Sequence, residues 1–271
     1  MDQRGHAAHL NLVESSQRLF ELDSGAAVEA GDGWLFGAGT ATHPVISNAA
    51  FRLDDRLDPD ELLERARRFF GARGRAFAVW ARASAEEDRD LVAALERGGL
   101  RKVFAMPEMV LDRRPDLCPR PAGVELRRVS SPRDAEDYWK VAVDAYATNG
   151  FPEEVFAFYD RHDGLWADGA TAFLALLDCR PASIAMAIVN HGVAGIYWVG
   201  TCQDARGHGL GAMVTTAAVE AGFEAGCDLV SLQASPLGRP IYERMGFEAI
   251  HDYELYLFQQ RQVSNQGPQN I

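Results

Sequence analysis

The stretch QDARGHGLGAM, Gln203 to Met213, places three glycines within five residues, after an arginine and before an apolar run. The preceding residues predict a strand that ends near Thr201. From Leu210 onward, apolar residues recur at intervals of three and four, which predicts a helix. Glycines tolerate positive φ and remove the Cβ atoms that would keep a ligand away from the backbone. The stretch therefore predicts a strand-to-helix loop that can bind a phosphate at the helix N-terminus.

Three phosphate-binding patterns are compatible with a glycine-rich loop in this context, and only one fits the residues. A P-loop requires GxxxxGK[ST], but no Lys-Ser or Lys-Thr follows these glycines. The dinucleotide fingerprint requires GxGxxG, whereas GHGLGA has its third glycine one position early. The pattern [QR]xxGx[GA] fits completely, from Arg206 to Gly211.

A second motif follows in ASPLGRPIYERMGF, Ala234 to Phe247, where a short helix carries a tyrosine and ends at Gly-Phe. Together with the predicted element order β-α-α-β-β-β-α-β-α-β, the two motifs resemble the GNAT (GCN5-related N-acetyltransferase) superfamily from about Gly123 to Phe258. The resemblance implies an α/β fold with an α+β mixed sheet, in which acyl-CoA binds between splayed parallel strands.

The first half of the chain has a similar predicted order of elements, which indicates a degenerate GNAT-like domain and two such domains in tandem. It has no [QR]xxGx[GA] between a strand and a helix, since GARGR, Gly71 to Arg75, follows a helix. The prolines of RRPDLCPRPAG interrupt regular structure and predict a linker. The expected organisation is a first domain at 1–113, a linker at 114–122, an acetyltransferase domain at 123–260 and a disordered tail at 261–271.

The resemblance implies a set of cofactor-binding residues in the second half. Backbone groups of residues 199–201 would pair with pantetheine, and residues 206–212 would bind the pyrophosphate. Ser235 stands where many relatives carry Asn, and it could contact pantetheine or cap the helix before Pro236. The cofactor-binding residues are Val199, Gly200, Thr201, Arg206, Gly207, His208, Gly209, Leu210, Gly211, Ala212 and Ser235.

Tyr242 matches the tyrosine that the family uses as general acid toward the CoA thiolate, although an aromatic side chain that packs the short helix onto the sheet is the alternative. No general base is evident, because the strand VAGIYWVGT carries no acidic residue. Water, Glu153, Glu154 or Asp160 could take the proton, but each acidic residue is also typical of a solvated helix. We expect His208 and His191 to be ordinary loop residues.

Three aromatic residues are candidates for the acceptor site. Tyr197 and Trp198 are adjacent on one predicted strand, so one should face the acceptor pocket and the other the opposite side of the sheet. Phe151 precedes a helix predicted to open at Pro152, in the region that shapes the acceptor site in the family. It could contact the acceptor or cap the core.

Composition narrows the class of protein further. The 271-residue chain has a net charge of −12, which disfavours nucleic acid as a partner. The N-terminus lacks the apolar core of a signal peptide, and no apolar run is long enough to span a membrane, so a cytoplasmic protein is expected. The four cysteines form no CxxC and no zinc-finger spacing, so no metal is expected.

The sequence thus predicts an acetyl-CoA-dependent N-acetyltransferase that transfers an acyl group to a primary amine by direct attack. Two alternatives remain open: a non-catalytic CoA-binding or interaction protein with this fold, and an enzyme that uses another acyl-CoA donor. The acceptor would be a small-molecule amine or a peptide, and the sequence leaves a homodimer open.

Overall fold

The computed structural model describes residues 3–115, 121–148, 150–156, 162–167 and 169–259. The elements of the first half are α1 (Gln3–Glu21), β1 (Ala27–Gly31), β2 (Trp34–Ala38), β3 (Asn48–Arg52), α2 (Pro59–Gly71), β4 (Phe77–Arg82), α3 (Arg89–Arg97) and β5 (Arg101–Leu111). The elements of the second half are β6 (Val124–Arg128), α4 (Pro132–Ala147), β7 (Ala170–Leu177), β8 (Arg180–Asn190), β9 (Val193–Thr201), α5 (Leu210–Glu224), β10 (Leu229–Gln233), α6 (Arg239–Arg244) and β11 (Glu248–Phe258). Most of the predicted linker and all of the predicted tail lie outside the described residues.

The eleven strands form one mixed sheet in the order β1-β2-β3-β4-β11-β5-β10-β9-β8-β7-β6. The first half contributes a meander, a helix, a parallel strand, a helix and a last strand, from β1 to β5. The second half repeats this series from β7 to β11. The predicted mixed sheet, with two similar units in tandem, is confirmed.

The two halves exchange their last strands at the centre of the sheet. Strand β11, from the second half, pairs antiparallel with β4 and β5 of the first half; Tyr253 stands opposite Arg82 on one side and Met106 on the other. Strand β5 in turn pairs with β10 of the second half. The sheet is therefore continuous across the two halves, and the domain boundaries predicted from the linker stay a prediction.

Several element ends follow from local sequence signals. Asp58 precedes Pro59 and its carboxylate accepts a hydrogen bond from the Asp60 backbone N–H at 2.8 Å, which caps α2. Between β8 and β9, His191 and Gly192 have φ of 50° and 72°. Positive φ at both central residues is typical of the tight turns that join two antiparallel strands.

Helix α1 joins the two halves by packing on β2 of the first and on β8 and β9 of the second. The Asn11 amide nitrogen donates to the carbonyl oxygens of Ile188 (3.1 Å) and Val193 (2.9 Å). Its Oδ1 accepts from the Tyr197 hydroxyl at 2.7 Å. His9 of the same helix is hydrogen-bonded to the hydroxyl of Tyr253 at 2.7 Å. Polar side chains of α1 thus reach strands of the second half through a buried face.

Two predictions about elements are wrong in detail. The described residues after Pro152 form no α-helix: Glu153–Val155 form a single 3₁₀ turn, and the side chains of Val155 and Phe156 pack in the core. The continuation at 157–161, including Asp160, lies outside the described residues. Strand β1 was not predicted, since its small and exposed residues form a strand only through pairing with β2.

The exchange predicts that the two halves stay together without a covalent connection. With a protease site inserted between Pro115 and Pro121, the cut protein should elute as one species and unfold in one transition, like the uncut protein. The physical reason is that separation would leave β11 without both of its neighbouring strands. Size-exclusion chromatography and thermal unfolding would measure this, and separate elution of folded halves would contradict it.

Candidate active site

Strands β9 and β10 diverge along their length. They pair in parallel only where Val193, Ala194 and Gly195 meet residues 229–231. Beyond that point β10 pairs with β5 through Gln233, while β9 continues to Thr201 with β8 as its partner. The edge of β9 from Ile196 onward therefore faces an opening rather than a strand, in agreement with the splayed strands that the family resemblance implies.

A bulge in β9 directs two adjacent aromatic residues to the same side. Trp198 has φ of 50°, and the pairing of β8 with β9 shifts register between Ile184 and Met186. A non-glycine residue in this conformation is strained, and such strain is typical of functional sites. Tyr197 and Trp198 consequently both line one cavity, so the expectation that they face opposite sides of the sheet is wrong. Strict alternation fails where a bulge inserts one extra residue.

The cavity beside the bulge has a volume of about 430 Å³ and lies between the two halves. Its walls come from α1, β4 and β5 of the first half, and from β9, β10 and the segment before α6 of the second. Of the described side chains that line it, none is charged. The predicted site residues that the structure brings together here are Phe151, Tyr197, Trp198, Val199, Ser235 and Tyr242.

Tyr242 of α6 is 7% exposed and lines the cavity. Its ring lies 5.9 Å from that of Phe247, and a Cβ on Gly238 would come within 2.8 Å of it. The tyrosine therefore packs α6 onto the sheet and also faces the cavity. Burial raises the pKa of its hydroxyl well above the usual value, so the phenol keeps its proton throughout the range in which enzymes are assayed.

The glycine-rich loop leaves the N-terminus of α5 open. Gly207 and Gly209 have φ of 83° and 75°, and Gly209 is the residue that precedes the helix. No side chain caps α5, and its first turn contains no acidic residue. The first N–H groups of a helix have no partner within it and carry a partial positive charge, so this end of α5 favours an anion.

The side chain of Arg206 holds the loop against α4. Its Nη2 donates to Thr148 Oγ1 at 2.8 Å and to the Ala145 carbonyl at 3.2 Å, and its Nε donates to the Thr201 carbonyl at 3.3 Å. In this state the guanidinium fixes the shape of the loop. Its predicted role toward the pyrophosphate stays a prediction.

The remaining loop residues contribute little side-chain chemistry. His208 is exposed, and its ring is hydrogen-bonded to the Ala205 carbonyl at 3.2 Å. Leu210 is buried in the core, and a Cβ on Gly211 would lie 3.3 Å from Thr201 Oγ1. Any contact of residues 207–212 with a phosphate would therefore come mainly from their backbone.

The backbone of residues 199–201 is already partly engaged. The Val199 carbonyl accepts from the Tyr146 hydroxyl at 3.1 Å, and the Gly200 carbonyl accepts from Ser183 Oγ at 2.8 Å. Ser235 Oγ accepts from the Gly238 N–H at 3.1 Å, so this serine caps the turn before α6 while lining the cavity.

Sequence reasoning missed a buried pair beside the cavity. Glu108 of β5 is fully buried, and Gln233 of β10 donates from Nε2 to Glu108 Oε2 at 2.6 Å. Burial raises the pKa of Glu108 to about 8. The sequence signal that could have indicated a buried carboxyl group was the single glutamate, Glu108, within the otherwise largely apolar strand KVFAMPEMVL. Its partner could not be read from the sequence, because strand exchange brings the two residues together.

The other candidates for a base lie elsewhere. Glu153 and Glu154 are exposed, and His191 Nε2 lies 2.7 Å from Glu14 Oε2 at the surface. Asp160 lies outside the described residues. Within the described part of the chain, no cluster of three or more His, Cys, Asp or Glu residues could hold a metal ion, and no helix is long and apolar enough to cross a membrane.

Comparison with known proteins finds similarity to acetyltransferases. Residues 111–239 match the family model described as "Acetyltransferase (GNAT) domain". The chain is 28% identical over 239 residues to a protein named mycothiol acetyltransferase from Clavibacter michiganensis subsp. michiganensis, a match that covers 81% of this chain and 78% of that protein.

Solved structures show the same fold along most of the chain. A GCN5-related N-acetyltransferase from Kribbella flavida has a TM-score of 0.69 at 22% identity, with 95% of this chain and 97% of that chain covered. A tandem GNAT protein from the clavulanic acid biosynthesis pathway has a TM-score of 0.60 at 15% identity, with 90% of this chain and 94% of that chain covered.

A glutamate at Gly209 should abolish CoA binding at the predicted loop. In Gly209→Glu a side chain and a negative charge would occupy the open N-terminus of α5, so calorimetry should show at least about a hundredfold weaker binding of acetyl-CoA. Gly74→Glu is the matched control. Gly74 also has positive φ (64°) and open space around it, but it lies in the first half. Equal affinities in the two variants would mean that the loop does not bind the pyrophosphate.

Proposed function

Since residues 111–239 match the model of the GNAT acetyltransferase domain, we propose that this protein transfers an acetyl group from acetyl-CoA to a primary amine by direct attack. The observation that carries the proposal is the convergence of three features on the divergence of β9 and β10. These are the open edge of β9, the uncapped N-terminus of α5 and the buried hydroxyl of Tyr242.

The residues around the divergence fit acetyl-CoA. The glycines at the start of α5 leave backbone N–H groups accessible to a pyrophosphate, and β9 offers an unpaired edge for an extended amide chain. When bound, acetyl-CoA would supply a thioester whose carbonyl carbon forms a bond to the amine nitrogen as the carbon–sulfur bond breaks; the nitrogen loses one proton to water, and water returns a proton to the group that protonates the sulfur. Tyr242 holds a proton that the departing sulfur can take.

The first half differs at the matching position in a way that disfavours phosphate. Helix α2 lies between β3 and β4, as α5 lies between β9 and β10. Its N-terminus is capped by the Asp58 carboxylate, and Asp60 and Glu61 occupy its first turn. These carboxylates repel an anion and occupy one N–H that a phosphate would need. We therefore assign the cofactor to the second half and an acceptor-enclosing role to the first.

The similarity to a mycothiol acetyltransferase supports an acetyl donor rather than a longer acyl chain. The non-catalytic alternative makes a different prediction, because a protein that only binds CoA would consume no thioester with any amine. Release of free thiol in the presence of acetyl-CoA and a panel of primary amines therefore tests the proposal directly. No release with any amine, at an enzyme concentration that binds acetyl-CoA, would contradict it.

Removal of the Tyr242 hydroxyl should slow the reaction. We expect Tyr242→Phe to lower kcat by about a hundredfold or more, since general acids contribute on this scale, while the affinity for acetyl-CoA stays the same. Tyr256→Phe is the control: this hydroxyl donates to Glu254 and does not line the cavity. Because the pKa of Tyr242 is raised, the kcat of the wild type should show no decline attributable to phenol ionisation up to about pH 10. An unchanged kcat in Tyr242→Phe would exclude it as the acid.

Acetyl-CoA should bind with a stoichiometry of one per chain. The acidic N-terminus of α2 cannot replace the open N-terminus of α5, so isothermal titration calorimetry should give a single class of sites. In the Gly209→Glu variant no residual high-affinity site should remain. Two sites per chain would contradict the assignment of the cofactor to the second half.

A further inference from the structure

We propose that the amide oxygen of Gln233 accepts a hydrogen bond from the amino group of the acceptor, and that Glu108 positions this amide. The acceptor would be a primary amine on a largely apolar body. The inference rests on the proposed function and identifies the polar contact that orients the nucleophile within its cavity.

The position of the pair follows from strand exchange. Glu108 and Gln233 stand opposite each other where β5 pairs with β10. Phe104 and Met106 line the cavity, and Glu108 lies two residues further along β5, on the same face of the strand. Gln233 itself lines the cavity at the end of β10, whereas Glu108 lies fully buried behind it. Glu108 therefore acts on a bound molecule only through Gln233.

The bond between the two side chains sets the orientation of the amide. An ionised carboxylate can only accept hydrogen bonds, so the amide nitrogen of Gln233 must face Glu108. Oε1, on the other side of the amide carbon, accepts no hydrogen bond from any described residue. This oxygen is the polar atom that Gln233 retains for a molecule in the cavity.

An acceptor oxygen in an uncharged cavity selects a particular chemistry. A neutral primary amine has two N–H groups and one lone pair. One N–H bonded to Gln233 leaves the lone pair free to attack. The Tyr197 hydroxyl, another polar group of the lining, already donates to Asn11 at 2.7 Å. With Trp80, Phe151 and Trp198 on its walls and no charged side chain among the described lining residues, the cavity favours an apolar or aromatic amine over a polycation.

The charge of Glu108 gives the arrangement a pH dependence. The groups that face it are Ser231 and Gln233 of β10, Tyr197 of β9, and Tyr253 and His251 of β11. Its pKa is raised to about 8 by burial, so the carboxyl group is protonated below that pH and ionised above it. The protonated group can donate to Gln233 Oε1 and occupy it. The ionised group cannot, so acceptor kcat/KM should rise as the pH increases through about 8.

The first test removes the amide. Wild type, Gln233→Leu and Gln233→Met would be assayed with acetyl-CoA and 2-phenylethylamine, glucosamine or spermidine. We expect the wild type to prefer 2-phenylethylamine, and both variants to raise the KM for that amine at least about tenfold. Their dissociation constants for acetyl-CoA should be unchanged, which also shows that they fold. The control is Gln17→Leu, which disrupts an exposed hydrogen bond of the same type, from Gln17 Nε2 to Glu21 Oε1 at 3.0 Å.

The second test isolates Glu108. The ratio of kcat/KM in wild type to that in Glu108→Gln, measured with one amine, cancels the titration of the amine itself. We expect this ratio to increase through about pH 8, and the matched ratio for Glu21→Gln to stay flat. A flat ratio for Glu108→Gln would overturn the positioning role. An unchanged KM in both Gln233 variants would overturn the contact while the proposed function stands. Absence of turnover with every amine would overturn both.

Discussion

The antiparallel pairing of β5 with β11 joins the two halves, and most of the site depends on it. Each strand is the last of its own half but lies inside the sheet of the other. One edge of β10 pairs with β5 from Val230 to Gln233, whereas its other edge pairs with β9 only as far as Ser231, and the cavity forms beside β9 where that second pairing ends. The same pairing brings Glu108 of the first half opposite Gln233 of the second. A chain without this exchange would lack the contact between Gln233 and Glu108.

The two halves divide the chemistry between them. The second half retains the glycine-rich loop, the uncapped helix α5 and the buried tyrosine, which together suit a phosphate-bearing thioester. The first half has an acid-capped helix at the matching position and contributes apolar walls instead. Helix α1 holds the two halves together, since Asn11 of the first half donates hydrogen bonds to backbone carbonyls of the second.

The uncharged lining of the cavity is consistent with the chemistry we propose. Amine attack requires a neutral nitrogen, and a dry, apolar cavity disfavours the ammonium form. The same burial raises the pKa of Tyr242, which keeps its proton available, and that of Glu108, which places its titration close to neutral pH. Desolvation is therefore the common cause of both effects: it raises the pKa of Tyr242, the proposed acid, and that of Glu108, the proposed positioning residue.

The sequence by itself predicted the donor side of the proposed reaction. The loop at Arg206 to Gly211, the striped helix after it and the motif around Tyr242 are local patterns, whose physics depends on residues close together in the chain. The acceptor side was decided by the tertiary structure. Because of the bulge at Trp198, the adjacent residues Tyr197 and Trp198 both line the same cavity. Phe104 and Met106 line it from the first half. The hydrogen bond between Gln233 and Glu108 joins residues that are 125 positions apart in the chain. No periodicity or spacing encodes such contacts, because they arise from which strands pair, and strand pairing is settled by the packing of the whole sheet.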